Sequence, residues 1–184
     1  IEMNWSGNEI PENFVTSFCK VFLPLETLRV FQFNRSLKND SISVFTEICD
    51  HLEEGTLWGL EIAGGNSKDT RLGPQLVPFI KEASRLTTVE HLNISNHGLN
   101  EETIIKIIDI LKESNKMLHE LAIDGTKINN RKQFYNVYRQ LFSSFPLKSV
   151  QRPLTDMSRL FDPTEPGKES FAKFKKDFLM TKVP

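Results

Sequence analysis

The feature that most constrains this chain is an internal repeat, with a period of roughly 29 residues, inside the range of repeat architectures. The segment VEHLNISNHGL (89–99) fits the pattern LxxLxLxxNxL: Val89, Leu92, Ile94 and Leu99 take its apolar positions, and His97 stands where asparagine is usual. LHELAIDGTKI (118–128) repeats it one period later through Leu118, Leu121, Ile123 and Ile128, with Thr126 in the polar slot. Upstream, Leu57, Leu60 and Ile62 precede Val89, Leu92 and Ile94 by a slightly longer step, and Leu28, Phe31 and Phe33 lie one ordinary period further back. Met3, Trp5, Asn8 and Ile10 fall in the same phase, and a degraded copy begins at Leu147.

A helical pattern follows each copy. Phe14, Phe18 and Val21 recur at helical spacing, as do Phe45, Ile48 and Leu52; Ile104, Ile107, Ile108 and Leu111; and Phe134, Val137, Tyr138 and Leu141. Asn100 followed by Glu101 and Glu102 reads as a helix start, a capping side chain and then acids near the positive end of the helix dipole. One strand–helix unit cannot bury its own apolar face, so successive units bury it for each other. The expected fold is therefore an α/β solenoid, a horseshoe with parallel strands on its concave face and helices on its convex face. The period and the full helix per repeat resemble the ribonuclease-inhibitor-like class of leucine-rich repeat. Strands are expected near Val30, Leu60, Leu92 and Leu121, adjacent in that order.

GLEIAGGNSKDTRLGPQLVPFI (59–80) also has the order strand, glycine-rich loop, helix, which can cradle a phosphate. The spacing argues against that use: Lys68 lies three positions past Gly65, and neither GxxxxGK[ST] nor GxGxxG is present. The segment reads as one repeat of the array with a lengthened loop, which costs little chain entropy.

The array is expected to end where Arg152 takes an inward apolar slot and Pro153 cannot donate to a sheet. The division is then repeats over 1–153 and a helical cap over 154–184. Phe171, Phe174, Phe178 and Leu179 form one helix face opposite Lys173, Lys175, Lys176 and Asp177. Capping the open end is the expected role, and a basic amphipathic helix for a membrane or partner is the alternative.

Composition narrows the function classes. Lys plus Arg total 23 and Asp plus Glu 24, a net charge of −1, which gives no basic footprint for nucleic acid. No apolar run approaches the roughly 20 residues of a membrane helix, and the opening IEMNWSGNEI lacks a charged-then-apolar leader. Cys19 and Cys49 lie in helical patterns and are expected as buried free thiols of a reducing compartment, the alternative being a disulfide between adjacent helices. No cofactor or metal is expected.

The segment RPLTDMSRLFDPTEPGKESFAKFKKDFL (152–179) resembles the C-terminal cap of the leucine-rich domain of CARMIL proteins, regulators of the actin capping protein. Pro153, Asp156, Ser158, Pro163 and the Phe171–Leu179 helix hold the corresponding places. The resemblance implies one internal domain of a larger, cytoplasmic actin-cytoskeleton regulator, at the cytoskeleton or near a membrane, with actin-regulatory proteins as partners and self-association open. The family's capping-protein-binding tail has no counterpart here. A RanGAP-type GTPase-activating domain, with Arg35 or Arg71 reaching a nucleotide pocket, and a ligand-sensing or immune-type repeat domain are the rivals.

Residues flanking the inward slots are expected on the concave face, and with them the protein-binding surface: Arg35, Glu61, His91, Asn93, Glu120 and Asp124, with Arg29 and Trp58 at the leading edges of their strands. Trp58 stands out, because exposed tryptophan is enriched at binding hot spots; packing on a neighbour is its other reading. Gly59 and Ala63 are expected to leave the surface beside it open. His91 and Glu120 share a slot in adjacent strands and are expected to pair, with His119 crowding Glu120. His51 and His97 are expected to be structural or solvated. The ionisable residues form no nucleophile–base–orienter set, so no catalysis is expected.

Overall fold

A computed structural model describes residues 1–114, 117–145, 147–151 and 153–161. Strand and helix alternate along the chain. β1 (Glu2–Asn4), β2 (Val30–Gln32), β3 (Gly59–Glu61), β4 (His91–Asn93), β5 (Glu120–Ala122) and β6 (Ser149–Val150) form one sheet in chain order. Every neighbouring pair is parallel. The connections carry α1 (Val15–Phe22), α2 (Ile42–Glu53), α3 (Leu76–Ala83), α4 (Glu101–Ser114) and α5 (Arg131–Ser144), and α6 (Leu154–Leu160) follows β6.

The sheet register repeats the phase of the sequence: Met3, Phe31, Leu60, Leu92, Leu121 and Val150 stand side by side across the six strands. Side chains alternate across a strand. Phe31, Leu60, Leu92 and Leu121 point into the core, and the first and third residues of β1 to β5 lie on the opposite face. Helices α1 to α5 pack neighbour against neighbour in chain order. One hydrophobic cluster runs from Ile10 to Phe161 and takes in every central strand residue from Phe31 to Leu121.

Four of the strands leave the sheet through the same turn. Gly7, Arg35, Asn96 and Gly125 occupy equivalent positions, and all are left-handed, with φ of 76°, 60°, 64° and 64°. That kink aims the chain from the sheet towards the helix layer. Gly64, at the same position in the third unit, is not left-handed, and it begins the longest loop.

The carbonyl two residues past the central strand position faces inward and needs a donor. Three units supply one from a side chain. The Ser36 hydroxyl donates to Trp5 O at 3.2 Å, His97 Nε2–H to Ile62 O at 2.7 Å, and the Tyr138 hydroxyl to Ile123 O at 3.0 Å. Burial, reinforced by Asp156 and Asp124, holds the Tyr138 phenol well above its usual range, so it stays a donor.

The helix faces expected from spacing are buried in α2, α4 and α5. Asn100 Oδ1 caps α4 by accepting Thr103 N–H at 2.9 Å. In the first unit the face is turned by one residue: Val15, Phe18 and Cys19 are buried, whereas Phe14 and Val21 are 44% and 69% exposed. Phe14 closes a 3-10 turn (Glu12–Phe14), so α1 proper starts after it and its inward stripe begins at Val15. Trp5 packs edge-on to Phe18 at 4.8 Å between centroids and fills that inward side.

Cys19 and Cys49 are buried free thiols; burial pushes Cys19 up to about 11 and Cys49 higher still. At the far end Met157, Leu160 and Phe161 join the core, and Phe161 meets the Phe134 ring edge-on at 5.7 Å. Arg152 and the amphipathic segment of Phe171, Phe174, Phe178 and Leu179 lie outside the described residues.

Candidate functional site

The open face of the sheet gathers most of the residues singled out from the sequence. Its first row across the strands reads Glu2, Val30, Gly59, His91, Glu120, and its third reads Asn4, Gln32, Glu61, Asn93, Ala122. The residues just before the strands form a leading row: Arg29, Trp58, Glu90, His119, Lys148.

Trp58, in the leading row, is 43% exposed. Its indole stacks on His91, with centroids 5.6 Å apart and planes 14° apart. Its Nε1–H donates to Glu90 Oε2 at 3.3 Å, and His119 Nδ1–H donates to the same oxygen at 2.9 Å. These two donors, His119 first, hold the Glu90 carboxyl below its usual range. Trp58 is therefore exposed and at the same time packed on a neighbour, as its second reading has it.

His91 lies between two carboxylates. Its Nδ1 is 3.0 Å from Glu120 Oε2, but the N–H is not aligned for a hydrogen bond, and Nε2 is 3.9 Å from Glu61 Oε1. The ring is thus an ion-pair partner when protonated and a stacking surface for Trp58 in either state. Glu61 also accepts from Asn34 Nδ2 at 2.9 Å, while Asn34 Oδ1 accepts Ala63 N–H at 2.7 Å. Asn93 Oδ1 accepts Ser95 N–H at 3.1 Å within its own unit.

Four expectations change. His119 does not crowd Glu120; it turns along the leading row to Glu90, one strand back. Gly59 does not leave a gap, because Val30 and His91 lean over it: a Cβ built there would lie 3.3 Å from Val30 Cγ2 and 3.6 Å from His91 Cδ2. Ala63 is buried as well. Asp124 does not present its carboxylate to the open face. It accepts Gly125 N–H at 2.8 Å and the N–H groups of Thr155 and Asp156 at 3.0 Å each, so it caps the start of α6.

Arg29 stays at the leading edge, where its guanidinium donates to the carbonyl and hydroxyl oxygens of Thr56. Arg35 is exposed in the turn after β2. Arg71 donates through Nε to Gly65 O at 2.8 Å and thereby folds the glycine-rich loop onto itself. That loop uses both glycine amides inside the protein, Gly64 N–H on Ser95 O and Gly65 N–H on Thr70 O. It leads into a 3-10 turn (Gly73–Gln75) before α3 begins at Leu76, so no helix terminus opens from it. His51 donates to Leu23 O at 2.9 Å, and His97 is buried.

Glu90 is the residue the sequence reading missed. The signal was available: counting one period on from Arg29 and Trp58 lands on Glu90 and then His119. Among the described residues no three or more His, Cys, Asp or Glu side chains come together in a way that could hold a metal ion. No described helix is long and apolar enough to cross a membrane. Compared with known proteins, the chain matches no protein-family model and no curated protein sequence.

Proposed function

We propose that this chain is a leucine-rich-repeat solenoid that works as a non-enzymatic protein-interaction scaffold, with its contact surface on the open sheet face around Trp58. The observation that carries the reading is Trp58 itself. It is a large aromatic, 43% exposed, braced by the His91 ring on one side and by Glu90 at its indole N–H, so its plane is presented at little cost in side-chain entropy. Polar groups ring it, which is the composition of a hot spot and its rim. The parallel strands in chain order, the equivalent turns and the repeat period support the solenoid assignment. The resemblance of segment 152–179 to the CARMIL cap gives the setting, cytoplasmic actin regulation inside a larger protein.

Trp58→Ala tests it. The chain should melt close to the parent, and partner binding should weaken by about 2 kcal/mol or more. The measurement is a pull-down from cytoplasmic extract with both proteins, read against actin-regulatory components. Equal recovery of every partner by the two proteins would remove the sheet face as the contact surface.

A further inference from the structure

The charges on the open sheet face are segregated, although those of the whole chain nearly cancel. Its first and third strand rows carry Glu2, Glu61 and Glu120 and no lysine or arginine across β1 to β5. The leading row adds Glu90 beside Trp58. The two cations of that row stand at its ends: Arg29 is turned onto Thr56, and Lys148, past His119, forms no salt bridge among the described residues but lies near enough to help lower the Glu90 carboxyl. On the helix side acids have cationic partners: Arg85 reaches Asp50, Glu53 and Glu82 together, and Lys106 pairs with Glu102 at 2.7 Å.

The partners of the sheet-face acids fix their positions, and none of these acids is in a salt bridge with a lysine or arginine among the described residues. Glu61 is held by an asparagine amide, Glu90 by an indole and an imidazole, and Glu120 sits beside an imidazole. Carboxylates held in place without a lysine or arginine salt bridge keep attraction for an incoming cation, and an exposed tryptophan plane among them adds a cation–π surface. An anionic partner, nucleic acid included, meets like charge here.

Resting on the scaffold reading, we propose that the occupant of this face is an extended basic segment of a protein partner, with an arginine or lysine side chain on the exposed plane of Trp58 and neighbouring cations against Glu61, Glu90 and Glu120. The three carboxylates lie on β3 and β5 and on the row just before β4, so a segment crossing the strands meets them in turn. Charge complementarity selects the class of partner, and Trp58 selects where on it the contact is tightest.

The test uses the whole chain and a fluorescein-labelled peptide of alternating arginine and serine, with serine-only and glutamate–serine peptides of the same length as controls, read by fluorescence anisotropy. The basic peptide should bind, added salt should weaken it, and both controls should fail. The double substitution Glu61→Gln with Glu120→Gln, which keeps side-chain shape, should weaken binding at least tenfold with an unchanged melt. Arg29→Gln should strengthen it. A helix-side pair, Glu102→Gln with Glu113→Gln, should leave it unchanged. Equal binding by parent and sheet-face variant, equal loss in the helix-side variant, or preference for a control peptide would overturn the proposal. The pull-down separates the two readings: if Trp58→Ala loses a cellular partner that Glu61→Gln/Glu120→Gln keeps, the scaffold reading stands and the basic occupant falls.

Discussion

His97 Nε2–H donates to the carbonyl of Ile62 at 2.7 Å, and its Nδ1 accepts the backbone N–H of Leu72 at 3.3 Å. A carbonyl can only accept and an amide can only donate, so these partners fix one neutral tautomer. The side chain ties the third strand's exit to the loop that follows it.

Stability should therefore depend on pH through His97. Burial lowers its pKa from the ordinary 6.5 to about 4. Below pH 6.5 the unfolded chain takes up a proton that the folded chain refuses until about pH 4. The neutral form's stabilisation is thus complete above 6.5 and is lost as pH falls from 6.5 to 4, by on the order of 3 kcal/mol at the bottom of that window. Urea unfolding at neutral pH and near the bottom of the window should show the loss in the parent and a smaller one in His97→Gln. Parallel pH profiles for the two proteins would remove this role.

Gly64 and Gly7 separate space from backbone angle. A Cβ on Gly64 would lie 2.6 Å from Asn96 O, 2.7 Å from Thr70 O and 2.9 Å from His97 Nδ1, and two of those atoms are backbone. Gly64→Ala should cost about 2–4 kcal/mol, because the loop must move off its neighbour. Gly7 has φ of 76° and nothing within 4 Å of a built Cβ, so Gly7→Ala should cost only about 1 kcal/mol of backbone strain. Denaturant midpoints rank the two, and a larger loss at Gly7 would contradict the packing at Gly64.

Arg35 sits at the left-handed turn position that glycine or asparagine fills in three other units. An arginine there costs about 1 kcal/mol that asparagine avoids in part. Arg35→Asn should raise stability by about 0.5–1 kcal/mol in a urea melt. A destabilised variant would mean that the arginine's own contacts outweigh the strain.

Strand order, register and the buried faces of α2, α4 and α5 were legible because each rests on a period: one apolar residue per repeat places Phe31, Leu60, Leu92 and Leu121 in one row. The first helix differs from its expected stripe because that stripe depends on where the helix begins, and the 3-10 turn at Glu12–Phe14 shifts it by one residue. The site was half legible. Trp58, His91, Glu61 and Glu120 come from counting along strands, whereas the leaning of Val30 over Gly59 and the turn of His119 towards Glu90 depend on rotamers that no spacing encodes. Asp124 departs for another reason: a carboxylate at the end of a strand can face a partner or cap a helix, and the helix it caps, starting at Leu154, lies a whole repeat further along the chain.

That cap gives the last prediction. Asp124 accepts the N–H groups of Thr155 and Asp156, and Asp156 in turn accepts Thr126 N–H through both oxygens at 3.0 and 3.1 Å and pairs with Arg159 at 2.6 Å. The two aspartates thus lock α6 onto the strand exit of the preceding unit from both sides, but in different surroundings. Asp124 is half-buried at a helix start, where losing a cap costs about 1 kcal/mol. Asp156 is fully buried, and removing it strands a buried amide and an arginine that has lost its carboxylate. Asp156→Ala should therefore cost about 3 kcal/mol or more, against about 1 kcal/mol for Asp124→Ala. Because Asp124 commits its oxygens to the backbone, Asp124→Ala should also leave binding of the arginine–serine peptide unchanged. Thermal melts and the anisotropy titration on the same two variants decide it: a stable Asp124→Ala chain with weakened peptide binding would return this carboxylate to the contact surface and remove it from the cap.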